Sequence, residues 1–326
     1  MSRIPSIEEL AGHVIFKEAH PCQKETAGEI DITVVTVCYN PLAQGRREVF
    51  LGNLDSVQAQ EAVSLEHLII DGASTDGTQE WLRAYHNTKH DIRILSLPDK
   101  GIYYAMNRGI ALSRGKYVIF LNSDDYFHHS GGMAASKKRL EEFGCQFTFA
   151  PVRFNPTNTR RHPQLAPQRR LHRFLISWPF SHQTMLTQRT MLLQADGFDT
   201  DYRTAADYDL LLRMIEAGGV GCFVPLVFAT FSLGGYSAAN KELTFTESIR
   251  ILRKFYAVFY QERMTCEEVA YIIKHRTYPR RYINIYKQSQ KLIRERFVGI
   301  PKDPLTRLSR WFNYIKYYLK CRNSSI

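Results

Sequence analysis

Four apolar, β-branched segments alternate with helical patterns between residues 31 and 125, and this alternation restricts the possible folds more than any other feature of the chain. The segments read ITVVTVCYN from Ile32, LEHLIIDGAS from Leu65, DIRILSL from Asp91 and GKYVIFLNSDD from Gly115. Helical patterns lie between them, at 48–61, 78–85 and 103–113. Alternating β and α segments predict an α/β fold with a mostly parallel sheet flanked by helices on both faces.

Polar residues follow each of the four predicted strands. Tyr39 and Asn40 follow the first strand, residues 71–76 the second, residues 99–101 the third and residues 122–125 the fourth. In open parallel sheets, ligands bind beyond the carboxyl ends of the strands. Because three of these four places carry carboxylates, the sequence predicts an acidic, nucleotide-type site along this edge.

Several common nucleotide and hydrolase motifs are missing from the sequence. It contains no G-x-x-x-x-G-K-[ST] phosphate loop, no G-x-G-x-x-G after the first strand, no H-E-x-x-H and no G-x-S-x-G. These absences leave carboxylate chemistry on a nucleotide-type sheet as the favoured interpretation.

The segment FLNSDD, at 120–125, runs from a predicted buried strand directly into Asp124 and Asp125. Adjacent carboxylates repel one another unless water or a cation neutralises them. Hard oxygen ligands of this kind suit Mg²⁺ or Mn²⁺ holding a diphosphate. A solvated turn is the alternative interpretation.

Asp71 ends the second predicted strand, in the segment IIDGASTDGT. A carboxylate at this place can accept a hydrogen bond from a base N–H, while Ser74, Thr75 and Thr78 offer hydroxyls and amides where the next helix starts. The alternative is that the segment is only a turn followed by a helix N-cap.

Five segments together resemble one enzyme family, the family 2 inverting glycosyltransferases of the GT-A fold, and especially their bacterial polysaccharide and O-antigen branch. The similarity covers about residues 31–235, in the order and spacing of the family. The segments read VVTVCYN, IIDGASTDGT, DKGIYYAMNRGIALSRGKYVIFLNSDD, SHQTML and GFDTDYRTAADYDLLLRM. The resemblance implies a GT-A type fold and transfer of a sugar from a nucleotide-sugar, with a UDP-sugar favoured.

The resemblance also assigns residues to the nucleotide-sugar donor. It implies that Asp71 contacts a uracil-type base, with Tyr39 and Asn40 nearby, and that Asp99 and Lys100 belong to the same donor site. These assignments are carried over from the matching motifs and are expectations for the structure.

The family's metal-binding D-x-D motif matches Asn122, Ser123 and Asp124. Asn stands at the first position of the motif here, where its amide can hydrogen-bond a ribose hydroxyl, so Asp124 becomes the expected ligand of Mn²⁺ or Mg²⁺, with Asp125 as its neighbour. A second departure is Tyr104, where related sequences commonly have Asp.

An inverting transferase needs a carboxylate that removes the proton of the acceptor hydroxyl. The family places it in a Glu-Asp pair at the start of a helix. That pair is Ala206-Asp207 here, so Asp207 is the expected base, and helix capping is its alternative role. Asp209 is the rival, but Arg213 lies at i+4 from it, which favours a structural ion pair. His182 in SHQTML is favoured as a structural residue, and a hydrogen bond to the acceptor or to a phosphate is its alternative role.

Positive charge is concentrated in the last quarter of the chain. Residues 245–326 contain 18 Lys and Arg against 6 Asp and Glu, whereas the net charge of the whole chain is +11. Such a segment suits an anionic membrane surface or nucleic acid, and the resemblance favours the membrane. An apolar stripe supports an amphipathic helix at the membrane, and packing on the catalytic domain is the alternative. The stripe is formed by Leu308, Trp311, Phe312, Ile315 and Leu319.

These patterns predict an N-terminal extension at 1–30, a GT-A domain at 31–240 and a basic, mainly helical region at 241–326. Ser6 and Glu9 form a capping-box pattern for a short helix, and residues 153–173 are expected to be a mobile, basic loop. Six well-separated cysteines and no apolar run of about 20 residues favour a cytoplasmic protein, at most peripheral at the inner face of the membrane.

The sequence leaves two functions open. The first is an inverting, metal-dependent glycosyltransferase that acts on a polysaccharide or lipid-linked oligosaccharide, with no nucleic acid as partner. The second is a non-catalytic binding protein with a GT-A-like fold whose basic tail binds membrane or nucleic acid.

Overall fold

The computed structural model describes residues 2–11, 14–16, 30–43, 45–86, 92–155, 164–165, 174–176, 178 and 180–300. The strands are β1 Val14–Phe16, β2 Ile32–Cys38, β3 Leu65–Asp71, β4 Ile92–Ser96, β5 Tyr117–Asn122, β6 Tyr126–Phe127, β7 Phe147–Phe149, β8 Val152–Asn155, β9 Gln164–Leu165, β10 Thr187–Gln188, β11 Gly221–Phe223, β12 Ala229–Ser232 and β13 Phe297–Val298. The α-helices are α1 Ile7–Ala11, α2 Arg47–Gln58, α3 Thr78–His86, α4 Ile102–Leu112, α5 Gly132–Phe143, α6 Arg189–Gln194, α7 Ala206–Glu216, α8 Tyr236–Ala239, α9 Lys241–Phe259, α10 Cys266–His275 and α11 Ile283–Arg296.

The central sheet has the strand order β1-β4-β3-β2-β5-β10-β7-β11-β13. Strands β4, β3, β2 and β5 are mutually parallel, and β7, β11 and β13 form a second parallel group. The short β10 joins the two groups and is antiparallel to both neighbours. The four strands predicted from the apolar segments are therefore confirmed, and so is the predicted mostly parallel sheet.

Helices pack on both faces of the sheet, so its central strands are buried on both sides. Strand β2 is buried along its whole length, as expected of a central parallel strand. Helix α4 packs very closely on β2 at Gly109, where a Cβ would lie 2.4 Å from Cγ1 of Val35. A side chain at Gly109 would therefore push α4 away from the sheet, and α4 carries residues that border the candidate site.

A second, four-stranded sheet has the order β6-β12-β8-β9. The sequence predicted residues 153–173 as a loop, but residues 153–155 belong to β8 and residues 164–165 form β9, so that prediction is wrong for these five residues. Pairing of β8 with β12 and of β9 with β8 overrides the local loop signal. The other residues of that stretch lie outside the described part of the chain.

The N-terminal residues contact the main body of the protein. The predicted capping box is present, since the amide of Glu9 donates to Ser6 Oγ (3.2 Å) and the amide of Ser6 donates to Glu9 Oε2 (2.7 Å). Arg3 pairs with Asp199 at 2.9 Å. Strand β1, which the sequence did not predict, pairs antiparallel with β4 at the sheet edge.

After helices α9–α11 the chain re-enters the central sheet as strand β13. Strand β13 pairs in parallel with β11, and the Phe297 ring lies 5.5 Å from the ring of Phe149 and 5.2 Å from that of Phe174.

No helix within the described ranges is both long and apolar enough to cross a membrane. The predicted amphipathic stripe of residues 308–319 lies outside the described residues.

Candidate functional site

The carboxyl ends of β2 and β3 meet in one hydrogen-bonded loop cluster. The amide of Asn40 donates to Ser74 Oγ (2.8 Å), and Asn40 Oδ1 accepts from the amide of Thr75 (2.8 Å). The amide of Gly72 donates to the carbonyl of Cys38 at 2.9 Å. The polar residues after these two strands, which the sequence placed together, are therefore in contact.

Asp71 lies inside this cluster rather than at its surface. Its carboxylate is 0% exposed and accepts hydrogen bonds from the Ser74 amide (3.0 Å), Ser74 Oγ (2.5 Å) and Ser96 Oγ (2.6 Å). The Cys38 thiol also lies 3.7 Å from Asp71 Oδ1. Because both oxygens already have partners, Asp71 fixes the shape of the loop that follows β3.

Tyr39 and Asp99 close on the backbone at Gly72, and these three residues form the Gly72 surface. A Cβ on Gly72 would lie 2.9 Å from Asp99 Oδ2 and 3.3 Å from Cδ2 of Tyr39, so the absence of a side chain allows this close approach. Tyr39 is 58% exposed, so its ring is accessible. Lys100 is exposed beside the Gly72 surface and forms no ion pair with the described part of the chain. The Gly72 surface therefore offers one aromatic ring and one carboxylate.

Asp99 is held in place by its own loop. Its Oδ1 accepts a hydrogen bond from the amide of Gly101 (2.9 Å), and Arg108 anchors the loop by donating to the carbonyls of Leu97 (2.8 Å) and Pro98 (2.6 Å). Burial raises the pKa of Asp99 above its ordinary value, whereas the Gly101 amide and Arg108 act in the opposite direction. The Asp99 carboxylate is therefore partly shielded from water.

The residues after β5 divide into a buried and an accessible carboxylate. Asp125 is buried and accepts from the Ser232 amide (2.8 Å) and from the side-chain amide of Gln183. Burial, followed by the charge of Asp124, raises the pKa of Asp125 to about 7. Asp124 keeps 24% of its side chain exposed, and its Oδ2 lies 3.7 Å from a guanidinium nitrogen of Arg46.

The same strand end offers oxygen ligands for a divalent cation. Asn122 Oδ1 is buried and has no hydrogen-bond partner, and the Asp124 carboxylate is only loosely paired with Arg46. Ser123 lies between them and is partly buried. Across the described ranges no group of three or more His, Cys, Asp or Glu side chains could hold a metal. One carboxylate and one amide oxygen suit a Mg²⁺-type cation that takes its other ligands from phosphates and water.

A short 3-10 helix, His182–Thr184, brings Asp207 next to the residues after β5. Gln183 of this turn binds Asp125, and Nδ1 of the adjacent His182 lies 3.6 Å from Asp207 Oδ2. His182 Nε2 is buried without a hydrogen-bond partner. The turn therefore joins Asp125, beside the accessible Asp124, to the first turn of α7.

Asp207 lies in the first turn of α7, where it is 22% exposed. Its Oδ1 accepts a hydrogen bond from the amide of Tyr208 (2.9 Å). Buried Tyr103 lies near the same helix end, where burial and then the Asp207 charge raise the pKa of Tyr103, and the backbone amides of Asp207 and Ala206 oppose the rise. The partial positive charge of a helix N-terminus favours the ionised form of a carboxylate at this place.

Asp209 occupies a different environment. It is 2% exposed, and Arg213 Nε donates to its Oδ2 at 2.7 Å in the expected i, i+4 pair. Arg213 also donates to the carbonyl of Gly197 (2.7 Å). Asp209 is therefore a buried structural residue, as the sequence favoured.

Glu247 of α9 is a site residue that sequence analysis missed. It is 2% exposed and accepts from the amides of Arg203 (2.7 Å), Thr204 (2.9 Å) and Ala205 (3.1 Å) and from Thr204 Oγ1 (2.7 Å). These residues directly precede α7, so Glu247 fixes the start of the helix that carries Asp207. No sequence signal connects it to a loop more than 40 residues earlier, since the contact exists only in the folded chain.

Comparison with known proteins gives a family and more distant relatives. The Glycosyl transferase family 2 model matches residues 33–197. Chondroitin synthase of Pasteurella multocida (strain Pm70) is 30% identical over 171 residues, which are 51% of this chain but 17% of the synthase. A PGL/p-HBAD biosynthesis glycosyltransferase of Mycobacterium bovis (strain BCG / Pasteur 1173P2) is 28% identical over 188 residues, 56% of this chain and 72% of that protein.

Solved structures share the fold at low sequence identity. S. aureus TarS 1-349 in complex with UDP-GlcNAc has a TM-score of 0.57 and 15% identity, covering 79% of this chain and 74% of that one. The mannosyltransferase PcManGT from Pyrobaculum calidifontis, in complex with GDP-Man and Mn²⁺, has a TM-score of 0.55 and 15% identity, covering 94% and 87%. The predicted GT-A type fold is thus confirmed. Because the family match spans half of the chain and includes the strands that form the carboxylate-lined edge, this protein belongs to glycosyl transferase family 2.

Proposed function

We propose that this protein is an inverting, metal-dependent glycosyltransferase that uses a nucleotide-sugar, with UDP-sugars as its donors. One observation carries the proposal: the 3-10 turn of residues 182–184 contacts both the buried neighbour of Asp124 and the carboxylate of Asp207. A candidate cation ligand and a candidate base thus lie on either side of one turn. This is the arrangement that a single displacement at the anomeric carbon requires, with the leaving diphosphate on one side and the attacking hydroxyl on the other.

The base of the donor would bind at the Gly72 surface, with its flat ring against the exposed ring of Tyr39. The Asp99 carboxylate can accept a hydrogen bond from a base N–H, while Asn40 and the buried Asp71 hold the loop beneath. Lys100, exposed beside this surface, would face the donor phosphates.

Asp124 and the unpartnered Oδ1 of Asn122 would hold Mn²⁺ or Mg²⁺. When bound, such a cation neutralises charge on the departing nucleoside diphosphate. Arg46 lies 3.7 Å from Asp124 and would add a second positive charge on the same side. Ser123 separates Asn122 and Asp124 in the chain, directly after β5.

Asp207 would accept the proton of the acceptor hydroxyl. Tyr208 fixes Oδ1, and His182 faces Oδ2 at 3.6 Å, so the proton would arrive on the oxygen nearer His182. A base in place before the reaction supplies roughly 10²- to 10⁴-fold in rate. The acceptor would be a polysaccharide or a lipid-linked oligosaccharide, reached by a cytoplasmic enzyme at an anionic membrane surface.

The test measures nucleoside diphosphate release from a panel of nucleotide-sugars with Mn²⁺ or Mg²⁺, and the anomer of any transfer product by NMR. Asp207→Asn should keep donor affinity and lower transfer by roughly 10²- to 10⁴-fold. Asp124→Asn should weaken metal-dependent donor binding. The matched control is Asp201→Asn, which changes an exposed carboxylate just before α7.

Two outcomes would reject this function. A retained anomer would exclude the single displacement. Donor binding without release or transfer, with any donor in the panel, would support the non-catalytic binding protein instead.

A further inference from the structure

A cationic cleft of about 480 Å³ lies beside α9, outside the candidate donor site. Four positive side chains line it, and Tyr202 and Met264 form part of its wall. The four are Arg250, Arg253, Lys254 and Arg263.

These cations have few negative partners. Of the carboxylates in the described part of the chain, none lies within 4.0 Å of the guanidinium nitrogens of Arg250, Arg253 or Arg263, and Lys254 only reaches Asp209 at 4.0 Å. Arg253 donates to the Met264 carbonyl (3.1 Å) and to Cys266 Sγ (3.1 Å), and the exposed Glu267 is close enough for its charge to act on Arg253. The Arg250 guanidinium lies 5.1 Å from the centre of the Tyr202 ring. Four positive charges around one cleft repel one another more than this single carboxylate offsets, so an anion entering the cleft relieves that repulsion.

The cleft adjoins the helix of the proposed base without opening onto the donor phosphates. Glu247 of α9 holds the start of α7, and Lys254 follows on the same helix about 10 Å further along. Asp209, which Lys254 approaches, lies about 200° around α7 from Asp207. The cleft is thus on the opposite side of α7 from the His182–Asp207 pair.

We propose that this cleft binds a phosphate or diphosphate group carried by the acceptor. The inference rests on the proposed function, because it assigns the cleft to the acceptor. Guanidinium groups bind phosphate oxygens through paired hydrogen bonds, and a multiply charged oxyanion offsets several cations at once, which a lone carboxylate does not.

The experiment uses the full chain and inorganic pyrophosphate as the probe, in the presence of EDTA, with binding measured by calorimetry. The double variant Arg250→Gln/Arg263→Gln should weaken pyrophosphate binding at least about tenfold. The control Arg280→Gln/Arg294→Gln removes two exposed positive charges outside the cleft and should change binding less than about twofold. Circular dichroism spectra and donor hydrolysis should be the same in both variants and the wild type.

Either of two results would overturn the proposal. The first is that the wild type shows no measurable pyrophosphate binding, and the second is that both double variants lose the same amount of pyrophosphate affinity. Displacement of pyrophosphate by phosphatidylglycerol vesicles, but not by phosphatidylcholine vesicles, would assign the cleft to membrane headgroups and remove the acceptor assignment. If the wild type hydrolyses no donor yet binds pyrophosphate through Arg250 and Arg263, the proposed function fails and the anion site stands.

Discussion

At the scale of single residues, Gly72 lets Tyr39 and Asp99 approach the backbone because it has no side chain. Gly72→Ala should weaken donor binding about tenfold, or about 1.4 kcal/mol, because its Cβ would meet Asp99 Oδ2 at 2.9 Å and displace the carboxylate proposed to bind the base. Isothermal titration with UDP and Mn²⁺ measures the effect. Gly52→Ala is the control, since it adds the same methyl group on α2 with no atom within 4 Å. Equal affinities of the two variants would place the base elsewhere.

A second residue-scale prediction concerns His67 of β3, which is buried and whose Nε2 lies 2.9 Å from Thr36 Oγ1. Burial lowers the pKa of His67 to about 3, whereas an unfolded histidine titrates near 6.5. Between these values the unfolded chain binds one more proton, so this contribution to stability is lost as the pH falls from 6.5 towards 3. Between pH 6 and pH 4 the wild type should lose about 2–3 kcal/mol more unfolding free energy than His67→Gln.

Urea denaturation at several pH values measures this difference. His275→Gln, which removes an exposed histidine at the end of α10, is the control and should follow the wild type. Parallel pH profiles for the wild type and His67→Gln would show that His67 is not the group responsible.

At the scale of elements, α9 sets the position of α7 through Glu247. Glu247→Gln replaces one accepting oxygen by an N–H₂ group that faces backbone donors, so it should lower kcat roughly tenfold while the donor KM changes little. The control is Glu242→Gln, on the exposed first turn of the same helix. If the two variants retain the same kcat, the cap of α7 does not position Asp207.

The elements also show what the sequence could predict. Strands β2 and β5 are apolar, β-branched runs whose local pattern already favours burial, so the sequence predicted their ends to within three residues. Strand β10 has two residues and exists only because β5 and β7 lie on either side of it. The Asp209–Arg213 pair was visible as a helical spacing, whereas the burial of Asp71 and the cap from Glu247 depend on contacts between distant segments. Local patterns thus predicted which edge of the sheet carries the candidate site. Contacts between distant segments determine which of its carboxylates are buried and which stay accessible.

At the scale of the whole molecule, the C-terminal helices and the catalytic sheet are packed together. Tyr256 donates to the Leu175 carbonyl (2.5 Å), and Phe297 packs among phenylalanines of the sheet. A chain ending at residue 240 should therefore be insoluble or fail to show cooperative unfolding, even though the family match ends at residue 197. Solubility and thermal unfolding test this, and a soluble, cooperatively folded fragment would show that the later helices are dispensable.

Deletion of residues 305–326 should have a different effect. The proposed donor, metal and base residues all precede residue 240, so donor hydrolysis should persist, while binding to anionic vesicles should fall because Lys and Arg near a bilayer contribute about 1 kcal/mol each. Vesicle sedimentation at low and high salt measures the loss. No preference of the full chain for anionic over neutral vesicles would contradict membrane attachment by this segment.

The pairing of β11 with β13 also has a consequence for the order of folding. These neighbouring strands are separated by α8–α11 in the chain, so the sheet cannot be completed until that whole region has left the ribosome. Until then the backbone edge of β11 is open, and such an edge can pair with another chain. Contacts between distant segments also slow folding. We therefore expect the nascent chain to pass through a long-lived, aggregation-prone intermediate, and its yield on expression to depend on chaperones.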